Sequence, residues 1–294
     1  MAFLRCLARR GALLLSLLLS LSLPVSPALA AGEKIRIGWT SWADAEAISM
    51  IAERILRDEL GYDVEMVFDN IGNIFQAMAD GEVDVMLMAW LPVHEDYLDK
   101  HDRVFEDLGV AYGGGLIGWV VPSYVPEDVF NSFEDLPKPE VKRQLRGRIA
   151  GLGESAGMME QLRTAMDEYG LDGYTIVYGN EVSAIASIRR AVAEQRWVLA
   201  GSWRPHWMFA EWDLRFIEDP KKIFGETQTI HSMGRPGFSA DFPKLANFFA
   251  GFEIPLDELQ AVMLRGTKVI LDQAVSEYIE SHPERVAAWV ANAR

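Results

Sequence analysis

The run KIRIG (Lys34–Gly38), DAEAISMIAERILRDEL (Asp44–Leu60), VEMVF (Val64–Phe68), IGNIFQAMA (Ile71–Ala79) and VDVMLMA (Val83–Ala89) decides the fold. Short β-type runs alternate with longer stretches, and in the first of these Ile48, Ile51, Ile55 and Leu56 recur near helical spacing before Gly61 ends it. Asp80-Gly81 ends the second helix in the same way. The pattern returns further along. Arg148–Leu152, Thr175–Tyr178 and Val198–Ser202 read as strands, and Met158–Tyr169 and Val182–Glu194 as the helices between them. Two βαβαβ blocks imply an α/β fold with two open, mostly parallel sheets.

Outside the blocks, Val121–Glu140 holds Pro122, Pro126, Pro137 and Pro139 and reads as a surface connection. Leu256–Arg294 reads as helical, broken near Ser281-His282-Pro283. The length of 294 residues fits two domains at roughly 150 residues each. Half of the residues are apolar and 24% are charged, which suffices for a core. A formal charge of -15 argues against a nucleic-acid partner, which needs a basic surface.

Residues 1–30 read as a signal peptide. Arg5, Arg9 and Arg10 precede the apolar run Gly11–Leu23, Pro24 and Pro27 break it, and Ala28-Leu29-Ala30 offers a small-x-small cleavage site. Cleavage there would leave a chain of charge -18. The single cysteine, Cys6, precedes the apolar run, where a lipid-anchoring cysteine would follow it. The exported chain is therefore expected to lack disulfides, thiolate metal sites and a lipid anchor, as suits a periplasm.

In open α/β sheets, ligands bind beyond the carboxyl ends of the strands. Three strands release a tryptophan there: Trp39 in Gly38-Trp39-Thr40, Trp90 in Ala89-Trp90-Leu91-Pro92, and Trp203 in Ser202-Trp203-Arg204-Pro205-His206-Trp207. Indoles at equivalent ends can wall a cavity, and their π faces attract a cation that cannot be hydrogen-bonded by about 0.5–2 kcal/mol per desolvated ring. The bland reading, rim or core tryptophans, competes because the chain has nine.

Together with Asp84–Pro92, Trp203–Phe209 and Phe216–Pro220, these segments resemble the glycine betaine/choline family of ABC-transporter substrate-binding proteins, in order and over nearly all of the exported chain. The resemblance implies a two-lobed periplasmic-binding-protein fold of type II, each lobe an open, mostly parallel sheet flanked by helices, with a hinge between. Lobe I is expected over 31–115 and again over 229–294, and lobe II over 116–228. It further implies an aromatic box of Trp39, Trp90 and Trp203 around a trimethylammonium group. The expected partners are a membrane permease and its ATPase, with the protein itself a monomer in the periplasm. Neither active site, cofactor nor metal is expected.

A betaine also carries a carboxylate. Leu152–Met158 is a glycine-bounded turn opening a helix, so the backbone N–H groups around Ser155, Ala156 and Gly157 form an anion site. His206 is a further candidate donor, and Ser41 a candidate contact beside the box. Choline-preferring members have an acidic residue shortly after the first box tryptophan. Here Thr40-Ser41-Trp42 follows Trp39 and the first acid, Asp44, falls on the helix, which shifts weight toward a carboxylated ligand such as glycine betaine. Trp42 and Trp119 are considered as further walls, with core packing expected for Trp119.

The competing reading is a secreted serine esterase. Gly153-Glu154-Ser155-Ala156-Gly157 satisfies G-x-S-x-G between a strand and a helix, with His206, His231 and His282 downstream. Against it, Tyr112-Gly113-Gly114-Gly115 lacks the histidine of an oxyanion segment, and a five-residue motif with three fixed positions arises readily by chance.

Overall fold

From Glu33 to Ala293, the residues described by the computed structural model, the chain alternates strands and helices as the periodicity predicts. The expected signal peptide and Cys6 lie outside the described residues. The first half runs β1 (Lys34–Trp39), α1 (Ala43–Asp58), β2 (Asp63–Phe68), α2 (Ile71–Ala79), β3 (Val85–Leu91), α3 (Glu95–Lys100) and β4 (Glu106–Pro122). Next come α4 (Pro139–Gln144), β5 (Arg148–Ala150), α5 (Gly157–Glu168), β6 (Thr175–Val177), α6 (Glu181–Ala193), β7 (Ala200–Arg204), α7 (Met208–Glu211) and β8 (Leu214–Phe216). The last part holds β9 (Gln228–Gly234), α8 (Phe238–Asp241), α9 (Pro243–Gly251), α10 (Leu256–Gly266), α11 (Leu271–Ser281) and α12 (Pro283–Asn292).

The strands follow the path β2-β1-β3-β9-β4-β7-β5-β6, with β8 beside β4. The βαβ units pair in parallel: β1 with β2 and β3, β5 with β6 and β7. The remaining pairings, through β4 and β9, are antiparallel, so both sheets are mixed. β4 joins them. Its residues up to Gly115 pair with β9 in the first sheet, and from Leu116 onward it pairs with β7 in the second. Residues 217–227 carry the chain back from β8 to β9.

Each helix buries the stripe that its spacing predicts. In α1, Ile48, Ile51, Ile55 and Leu56 are fully buried. Asn70 caps α2 by accepting from Asn73 N–H at 3.1 Å, and Asn180 and Ser183 form a reciprocal capping box on α6. α1 has no such cap of its own, since its N-cap residue is Trp42.

The stretch Val121–Glu140 is anchored rather than superficial. Val125, Phe130, Phe133 and Leu136 are buried, and Arg215 donates to the carbonyls of Val125 and Phe130. Its prolines exclude regular structure, but its apolar side chains still need cover.

Candidate functional site

Both sheets turn the carboxyl ends of their central strands toward one cleft. β3 delivers Trp90 and β7 delivers Trp203, both almost wholly buried. In both cases the next residue but one is a proline preceded by a cis bond, Leu91–Pro92 and Arg204–Pro205. The third indole comes from the turn after β1, where Trp42 immediately precedes α1. Trp42 lies 6.4 Å from Trp203, ring centre to ring centre, at 58°, and stacks on the His94 imidazole at 6.0 Å and 25°.

Between these rings is a small cavity that opens into the cleft. The first sheet contributes Trp42, Trp90, Val93 and His94. The second contributes Trp203, Ile117, Leu152, Ala156, Gly157 and Met158. Apart from backbone and one imidazole, this wall is apolar.

Unpartnered donors stand along it. Gly157 and Met158 open α5, whose N-cap, Ala156, has no capping side chain, and neither amide has an acceptor among the described residues. A side chain at Gly157 would place its Cβ 2.7 Å from the Val93 carbonyl and 3.1 Å from His94 Cδ2, so only glycine lets the two sheets approach this closely. His94 Nδ1 accepts from Trp90 N–H at 3.1 Å, which leaves the proton on Nε2. Burial lowers the His94 pKa to about 3, so the ring stays neutral.

Behind the wall, Asp44 on α1 is completely buried. Trp203 Nε1–H donates to it at 2.8 Å, and so does the Tyr112 hydroxyl. Burial pushes the Asp44 carboxyl above its ordinary range; Tyr112 and Trp203 pull it back through their hydrogen bonds, while nearby Glu181 adds to the rise. Tyr112 is itself pushed well up by burial and by the Asp44 charge.

Residues 33–281 match the substrate binding domain of the ABC-type glycine betaine transport system. The chain belongs to this family. A curated relative is the glycine betaine/carnitine transport binding protein GbuC of Listeria monocytogenes serotype 1/2a (strain 10403S), 28% identical over 155 residues. That match covers 52% of each chain, so it spans about half the length of this relative. Among solved structures, lactococcal OpuAC, closed-liganded and complexed with glycine betaine, is 26% identical with a TM-score of 0.81, covering 87% of this chain and 99% of that one. The glycine/betaine/L-proline-binding protein ProX from Borrelia burgdorferi is also 26% identical at a TM-score of 0.81, covering 89% and 100%. These neighbours have the two-lobed architecture of type II periplasmic binding proteins, and the mixed sheets described above form the same fold.

Within the glycine betaine transport family's fold, the residues expected at the box separate. Trp90, Trp203, Ala156 and Gly157 line the cavity. Trp39, Ser41, Ser155 and His206 do not. Trp39 continues the face of Ile35 and Ile37 and packs on Phe68 at 5.0 Å, with its Nε1 unpartnered. The first wall is thus Trp42, three residues further on, past the turn at Thr40. Ser41 lines a separate, larger cavity with Glu46 and Glu211. Ser155 contributes its carbonyl, which accepts from the Tyr97 hydroxyl at 2.7 Å. His206 is fully buried with both nitrogens engaged: Nδ1 accepts from Met208 N–H at 3.0 Å and Nε2 faces Glu181 at 3.2 Å. Trp119 is core, packed on Phe224.

The spacing of His94 from Trp90 carries the signal that sequence reading passed over. Proline two residues after a strand-end tryptophan forces a turn, and His94 N–H reaches back to the Trp90 carbonyl at 2.8 Å. Residue i+4 therefore returns to the cavity.

Proposed function

We propose that this chain is the substrate-binding protein of an ABC importer and closes over a quaternary-ammonium osmolyte, with glycine betaine the best fit. The observation that carries the reading is the meeting of three indoles from both sheets around one nearly apolar cavity. A trimethylammonium group can donate or accept no ordinary hydrogen bond, and desolvated π faces are the surface that attracts it. Relatives named for glycine betaine and carnitine support the ligand class.

Within that class, the donors at the wall favour a carboxylate. Gly157 N–H, Met158 N–H and His94 Nε2–H can all donate to it, and a helix N-terminus favours negative charge. With Trp42 as the wall, Asp44 stands two residues after a box tryptophan, the position expected in choline-preferring members. Its carboxylate, however, accepts from Trp203 and Tyr112 behind the wall and does not line the cavity.

The lobes in this reading are 31–115 with 229–294, and 116–228. The crossing of β4 from one sheet to the other at Gly115 and Leu116 supports that division. The chain would act in a periplasm as a monomer, after removal of residues 1–30, and deliver ligand to a permease and its ATPase without catalysis of its own. An esterase would need a histidine on Ser155 Oγ. His206 is engaged by Glu181, His231 by Asp107 and His282 by Ser281, and none hydrogen-bonds Ser155.

Titration by tryptophan fluorescence tests the reading. Glycine betaine should shift the emission and bind more tightly than choline. Silence toward both, or covalent labelling of Ser155 by an active-site-directed phosphonate, would overturn it.

A further inference from the structure

We infer that Glu181, which does not line the indole cavity, is the residue that locks two of its walls in place when the sheets close. The inference rests on the binding reading above.

Glu181 is the first residue of α6, on the second sheet's side, and is nearly buried. Its Oε2 accepts from Ala43 N–H at 2.8 Å, across the cleft. Ala43 is the first residue of α1 and follows Trp42, one wall of the cage. A helix leaves its first N–H groups without intrahelical partners, and α1 has no capping side chain of its own. The cap is supplied from the other side of the cleft. Glu181 Oε1 meanwhile faces His206 Nε2 at 3.2 Å. Since His206 Nδ1 accepts from Met208, Nε2 carries the proton and donates. The His206 ring stands edge-on to Trp203, the opposing wall, at 4.9 Å and 84°. One carboxylate thus accepts from two donors, one behind each indole.

Only an acceptor at both oxygens satisfies this arrangement. A glutamine would turn its NH₂ toward one of the two N–H donors and lose that bond. The contact to Ala43 exists only while the sheets are together, because Glu181 and Ala43 stand on opposite sides of the cleft. The contact to His206 lies within one side and survives opening. Glu181 is therefore a positioning residue whose cross-cleft half acts on the closed state, and its loss should appear in the rate at which ligand leaves.

Ala43→Pro isolates that half. Proline suits the first position of a helix, and Trp42 before it already has extended backbone (φ -100°, ψ 136°), as a residue preceding proline requires. The change removes the N–H and leaves Glu181 and His206 in place. Stopped-flow fluorescence with glycine betaine should show a dissociation rate raised about ten-fold in Ala43→Pro and in Glu181→Gln, the scale of one lost buried acceptor, with the association rate nearly unchanged. The melting temperature of ligand-free Ala43→Pro should not fall. The double variant should dissociate little faster than Glu181→Gln, because both changes break one hydrogen bond. Dissociation rates within two-fold of wild type, or a slower association with a lowered ligand-free melting temperature, would overturn the lock while leaving the binding reading intact. If the wild type bound no quaternary ammonium, that reading would fall instead. The lock would then be judged on spin labels at Gln144→Cys and Lys244→Cys in the ligand-free protein: Ala43→Pro must lower the share of molecules in the closed-state distance population, and an unchanged distribution overturns it.

Discussion

His94 is held neutral by burial and by the proton arrangement of its ring, and this has a pH signature. Its folded pKa of about 3 lies far below the unfolded value near 6.5, so the unfolded chain binds a proton that the folded one refuses. The stability this contributes is complete above about pH 6.5 and is lost progressively as pH falls toward 3. Asp44 works in the opposite sense, because a raised carboxyl favours the folded state below its ordinary pKa and loses that advantage as pH rises. Comparing wild type with His94→Gln isolates the histidine: between about pH 7 and pH 4 the wild type should lose more melting temperature than the variant. Parallel profiles would contradict the buried neutral ring. The tryptophans separate at the same scale. Trp42→Ala should weaken glycine betaine binding about five- to thirty-fold, at 1–2 kcal/mol for a desolvated ring, whereas Trp39→Ala should leave it within two-fold. Trp90 and Trp203 were legible because each ends a strand and precedes a proline-bounded turn. Trp42 was less so: Trp39 ends a strand in the same manner, and only the path of the turn at Thr40 decides which indole enters the cleft.

Among the elements, parallel βαβ units announce themselves through apolar runs and helical spacing, and β1 to β3 and β5 to β7 were legible for that reason. β4 and β9 were not. Three consecutive glycines, Gly113 to Gly115, interrupt the alternation of β4, and the pairing register with β9 shifts there. Those glycines have a packing reason. A Cβ on Gly115 would stand 2.8 Å from both Ile230 Cδ1 and Trp90 Cζ3, so the strand passes beneath a cage ring only without a side chain. Helix α5 makes the matching demand from the other sheet at Gly157. Gly157→Ala should hold the sheets apart by its contact with the Val93 carbonyl, weakening glycine betaine binding by about ten-fold or more. The melting temperature of the ligand-free protein should change little, because the obstructed contact crosses the cleft. A variant that bound as the wild type does would show that the sheets need not approach so closely.

For the whole molecule, β4 and residues 217–227 are the connections between the two sheets, and the indole-lined cavity lies between the strand ends that they bring together. Cross-cleft contacts surround it: Trp203 with Asp44, Glu181 with Ala43, and Tyr97 with the Ser155 carbonyl. Such contacts make closure a discrete state, and a ligand shifts the population only through what it adds there. In the proposed function, what the ligand adds is the attraction of a permanent cation for three enclosed π faces. Ionic strength should matter little to it, because rings rather than open solvent surround the charge. The direct test is calorimetry of glycine betaine against its isostere in which a neutral tert-butyl group replaces the trimethylammonium and the carboxylate is kept. The account predicts a large loss of affinity for the isostere, at least ten-fold by the cation–π scale. Equal affinity for the two would show that the tryptophans capture methyl groups alone and would contradict the cation cage.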